Sequence, residues 1–109
     1  MTERDRIAEF KEVVELEPED PVVRFGLAGA YLDAGHPESA VAEYREAIRL
    51  KPDYSAAYRG LGRSLERAGR LDEARTVYAQ GRDVAAQNGD LQTKKEIEVF
   101  LRRLETRDS

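Results

Sequence analysis

The chain has 109 residues, 37% of them charged and only 7% aromatic, with a net charge of −4 and no cysteine. That length fits one domain. The missing cysteine excludes a disulfide framework and a thiolate metal site, and the acidic balance opposes a nucleic-acid binder.

Charge is uneven along the chain. Residues 1–54 hold seven Lys/Arg against thirteen Asp/Glu, whereas residues 55–109 hold eleven against nine. No apolar run approaches the roughly 20 residues that cross a bilayer. None follows Met1-Thr2-Glu3-Arg4-Asp5-Arg6 as a secretory signal would require. A cytoplasmic location without a membrane partner is therefore expected.

The first predicted helix covers residues 3–17. It carries Phe10, Val13, Val14 and Leu16, and Pro18 stops it. The second runs from about Val22 to Asp33 and ends at Ala34-Gly35, where glycine can close a helix in the left-handed conformation. Pro37 suits the first turn of a third helix reaching Leu50, and Pro52 ends it. A fourth, from about Ala56 to Arg67, again ends at Ala-Gly. The fifth runs from about Leu71 past Ala86 toward Asn88-Gly89, a plausible C-cap. Asp90 suits the N-cap of a sixth, spanning about Leu91 to Leu104. Leu91, Ile97, Phe100, Leu101 and Leu104 form its apolar stripe, with Lys94, Lys95, Arg102 and Arg103 largely off it.

A shift of 34 residues aligns Gly26 with Gly60, Leu27 with Leu61, Ala34-Gly35 with Ala68-Gly69, Ala40 with Ala74 and Tyr44 with Tyr78. In that period and these residue types the chain resembles the tetratricopeptide repeat (TPR) family. Tyr58, Leu61, Gly62, Leu65, Ala74 and Tyr78 fall on its packing positions in one unit. Leu27, Ala28, Tyr31, Ala40, Tyr44, Ala47 and Pro52 do so in the other. The resemblance implies an all-α fold, a right-handed superhelical stack of antiparallel helix pairs with about six helices in a single domain. Residues 21–54 and 55–88 would be its two repeats, 3–17 a partial N-terminal repeat helix and 90–105 a C-terminal capping helix. The last helix resembles the closing helix of small stand-alone bacterial TPR proteins. Four positions depart from the pattern: Arg6 and Gly81 stand where the family prefers alanine, Arg24 where it prefers a large apolar residue, and Ala86 where the stop proline would be.

No residue constellation suggests chemistry. His36 is the only histidine and has no base, nucleophile or metal partner in its local sequence. Gly60-Leu61-Gly62 lacks the third glycine and the preceding strand of a dinucleotide fingerprint. The expectation is no enzyme, no cofactor and no metal.

The resemblance implies instead a concave groove lined by the first helix of each repeat. Its walls would carry Val22, Phe25, Gly29, Leu32 and Asp33, then Ala56, Arg59, Arg63, Glu66 and Arg67. Arg59, Arg63 and Arg67 are four apart and share a helix face. With Val22, Phe25 and Leu32 beside them they suit an acidic-hydrophobic peptide, because guanidinium forks grip carboxylates bidentately. The plainer alternative makes the arginines solvent-facing helix residues paired with Asp33 or Glu66, and Phe25 a core residue displaced by the Arg24 exchange. The family's two-carboxylate clamp uses positions held here by Phe25, Gly29 and Gly60, which disfavours that ligand class. A second expectation is homo-oligomerisation through an apolar face around Phe10 and Val13 that lacks its first-helix partner.

Overall fold

A computed structural model describes residues 2–108. Six helices occupy nearly all of this span: α1 (Glu3–Leu16), α2 (Pro21–Asp33), α3 (Pro37–Leu50), α4 (Ser55–Arg67), α5 (Leu71–Asn88) and α6 (Leu91–Asp108). The final helix continues a turn beyond the expected Leu104.

Local chemistry fixes the ends. The Thr2 hydroxyl accepts from the Asp5 amide and the Asp5 carboxylate accepts from the Thr2 amide, a capping box on α1. Asp20 caps α2 by accepting from Val22 N–H at 2.9 Å, and Asp90 caps α6 by accepting from Thr93 N–H at 3.2 Å. Gly35 and Gly69 adopt φ of 81° and 79°. Behind them His36 N–H reaches Tyr31 C=O at 2.9 Å, and Arg70 N–H reaches Leu65 C=O at 2.8 Å. These bonds satisfy carbonyls that a helix end otherwise leaves open.

The short turns make successive helices antiparallel neighbours. α2 packs on α3 and α4 on α5; α1 lies against α2, α3 against α4, and α5 against α6. α4 also touches both α2 and α6, so these three helices line one side of an elongated body measuring 42 × 28 × 21 Å.

Between the layers sit Ala28, Ala40, Ala57 and Ala74, with Leu61, Leu65, Tyr78, Ile97 and Leu104 filling the space they leave. The small residues permit close helix approach and the large ones supply most of the apolar burial. Gly62 faces the Tyr78 ring so closely that a Cβ there would collide with it. Gly81 has a similar cause, since an added Cβ would meet Tyr58 Cβ at 2.5 Å. Arg24 is accommodated by charge: its guanidinium meets Glu43 at 3.0 Å and donates to Pro18 C=O at 3.2 Å.

The two ends differ. α6 contributes Ile97 and Leu104 to the core and is an integral layer, whereas α1 contributes no buried residue. Phe10 nonetheless lies against the bare backbone of Gly26. The apolar face expected there is thus partly covered from within the chain, leaving Val13 and Leu16 exposed at 40% and 80%.

Candidate functional site

The side lined by α2, α4 and α6 gathers most of the residues singled out in the sequence. On α2, Val22 stands 60% exposed at the first turn. One turn on, Phe25 is half-buried, stacked on Tyr54 with centroids 5.0 Å apart and edge-on to Tyr44 at 5.7 Å. Leu32 belongs elsewhere. It is 5% exposed and packs in the core, which leaves it little surface for a groove contact. Periodicity alone could not separate the two, because Leu32 lies two turns after Phe25 on almost the same face of α2.

The three arginines of α4 have different neighbours. Arg59 donates to Glu96 of α6 at 2.8 Å. Arg63 lies over the Phe100 ring, 5.8 Å from its centroid. Arg67 donates to the Leu32 carbonyl at 3.2 Å, tying α4 to the end of α2. Asp33 pairs with Arg6 of α1 at 3.0 Å rather than with this row. The row therefore shares one face without being one uniform cationic stripe.

Positive charge concentrates where α4 and α6 end. Arg63, Arg67, Arg103 and Arg107 surround Glu66 around a cavity of about 280 Å³. Glu66 accepts from Arg103 at 3.3 Å through both oxygens and lies 3.6 Å from Arg107. Behind it, the buried Tyr78 hydroxyl donates to the same carboxylate. Burial, then the bond and charge of Glu66, push the Tyr78 hydroxyl far above the usual phenol range, so it remains a donor. Arg103 also lies over Phe100, 5.1 Å from its centroid, so two guanidiniums share that ring.

Glu96, Phe100, Arg103 and Arg107 were not singled out as groove residues. Their spacing of i, i+4, i+7 and i+11 places them on one face of a helix, and that signal was available. It was obscured because α6 read as a cap, although it occupies the position of a first helix. His36 is exposed in the α2–α3 turn and meets Tyr31 edge-on at 6.4 Å. No helix among the described residues is long and apolar enough to cross a membrane.

Residues 25–90 match a family model described as tetratricopeptide repeat. A TPR repeat-containing protein of Pseudomonas aeruginosa is 41% identical over 87 residues, covering 80% of this chain and 83% of the relative. The solution structure of a Bordetella parapertussis protein is 30% identical with a TM-score of 0.83, covering 94% of this chain and 89% of that one. The first TPR of Spaghetti (RPAP3), bound to the HSP90 peptide SRMEEVD, superposes with a TM-score of 0.82 over 95% of this chain and 80% of its own. At 21% identity that last likeness is one of fold alone.

Proposed function

The chain belongs to the tetratricopeptide-repeat family, and on that premise we propose that it is a non-catalytic adaptor holding a peptide segment of another protein. The segment lies along α2, α4 and α6. Val22 and Phe25 supply apolar contacts, while Arg63 and Arg67 supply charge contacts to an acidic-hydrophobic sequence. Arg59 has a smaller part, because Glu96 already holds it.

The observation that carries this reading is the composition of that one side. An exposed Val22 and a half-buried, ring-stacked Phe25 stand on α2 beside an α4 whose Arg63 and Arg67 make no ion pair among the described residues, on a molecule otherwise acidic. Apolar anchors fix position and forks discriminate charge. The Spaghetti domain, which has the same fold, is bound to an HSP90 peptide, and this supports a peptide ligand here.

Selection from a random peptide library tests the proposal. Peptides enriched in acidic and apolar residues should be recovered on the wild-type protein and lost on Val22→Glu and Arg63→Glu. Peptides held equally by all three proteins would contradict it.

Self-association is the second reading, favoured by the exposure of Val13 and Leu16 on α1. The end surface of the stack would then be the working one.

A further inference from the structure

We infer that the basin between the ends of α4 and α6 anchors consecutive acidic residues of the bound peptide, with Arg103 and Arg107 of α6 completing a site that Arg63 and Arg67 begin. This rests on the groove-binding reading and names its anionic anchor.

Four guanidiniums and one carboxylate line the cavity, a local formal charge of +3 on a protein whose net charge is −4. Each guanidinium has five N–H donors, and few are used here. Arg63 has the Phe100 ring for a neighbour and makes no ion pair among the described residues. Arg67 uses one nitrogen on the Leu32 carbonyl, and Arg107 approaches Glu66 only at 3.6 Å. Glu66 cannot swing out to neutralise the set, because its nearly buried side chain accepts from Tyr78 behind it. It acts as a fixed counter-charge that holds Arg103 beside the α4 arginines.

Several features favour carboxylates of a peptide over a phosphate. The guanidiniums come from two helices and form an open basin rather than a single point of charge. The basin lies at helix C-termini, whose partial negative charge opposes any anion, so the guanidiniums alone hold the ligand. It sits beside Phe100 and meets the C-terminal end of α2 where Arg67 donates to the Leu32 carbonyl. Val22 and Phe25 lie at the other end of α2, about 10–15 Å along its axis, a span an extended chain of a few residues covers. α6 is on this account half of the anchor, not simply a lid on the core.

The probe is a short fluorescein-labelled peptide with a run of glutamates beside leucines, followed by anisotropy at about 0.15 M salt, where charges are screened beyond about 8 Å. Arg107→Glu should weaken binding about tenfold. Arg102→Glu makes the same charge change in a separate cavity with Arg75 and Glu98, and should alter it by less than about twofold. Equal losses for both variants would reduce the effect to net charge and overturn the proposal. Loss with Val22→Glu but not with Arg107→Glu would keep the groove and remove the anchor; binding indifferent to both would remove the two together. No binding of this probe to the wild type would sink the acidic-run assignment. Displacement by inorganic phosphate, but not by sodium chloride of matched ionic strength, would make the basin a phosphate site and overturn it too.

Discussion

Tyr78 donates its buried hydroxyl to Glu66, so a core side chain of α5 holds a carboxylate that faces the groove from α4. The same carboxylate accepts from Arg103 of α6. Three helices are thereby joined through one group, and the packing of the stack sets the position of charge on its binding side. Tyr78→Phe keeps the ring and removes the donor. It should destabilise the fold by about 1.5 kcal/mol, as a hydrogen bond to a charged group typically contributes. Urea unfolding reads this as a lower midpoint at unchanged slope; an unchanged midpoint would mean the hydroxyl contributes nothing.

Gly62 tests the close approach of α4 and α5. A methyl group there would enter the Tyr78 ring, which is fully buried and has no room to retreat. Gly62→Ala gains about 1 kcal/mol of helix propensity, yet overpacking of this kind costs about 1–3 kcal/mol. Net destabilisation is expected in thermal unfolding. A rise in melting temperature would show that the ring moves freely.

Contacts of this kind show why the helices were legible in the sequence. Gly26 faces the Phe10 ring and, 34 residues on, Gly60 faces Tyr44, so a fixed period of glycine and aromatic encodes the helix pairs and their spacing. The caps at Ala34-Gly35 and Ala68-Gly69 mark helix ends. The groove was less legible. Leu32 and Phe25 are both apolar and on one helix, and only packing shows that the first is core and the second half-exposed. Arg103 and Arg107 lie far along the chain from Arg63 and Arg67, and no local pattern announces that α6 folds back beside α4. Phe10 was similar: its cover is the missing side chain of Gly26, a residue on another helix.

Asp90 gives the fold an acid-sensitive joint. Its carboxylate accepts from the Ser55 hydroxyl at 2.6 Å and from Thr93 N–H, bonds that hold its pKa below the ordinary aspartate value. A depressed folded-state pKa contributes stability that is present above the unfolded value, near 4, and is lost as pH falls through the folded one. Titration of the Asp90 carboxyl carbon by NMR should show a midpoint below that of an unfolded peptide. Asp90→Asn, which keeps a capping side chain, should flatten the acid limb of the stability curve. A midpoint at or above the peptide value would remove this contribution.

The exposed end of α1 separates the two functional readings. Phe10→Glu is a poor probe of association, because the ring packs on Gly26 and its loss would disturb the fold itself. Val13→Glu and Leu16→Glu act on exposed positions. If the groove is the working surface, sedimentation across a wide concentration range should give a monomer for the wild type and for both variants. A wild-type dimer that dissociates in either variant would favour the stack end instead.

The most direct test of groove binding is amide chemical-shift mapping of the isotope-labelled protein titrated with a glutamate-and-leucine peptide. The account predicts saturable shifts at Val22, Phe25, Arg63, Arg67, Arg103 and Arg107, with Arg45 and Val77, which line a separate surface cavity, left in place. Shifts confined to Val13 and Leu16, or to the cavity around Arg45 and Val77, would contradict it.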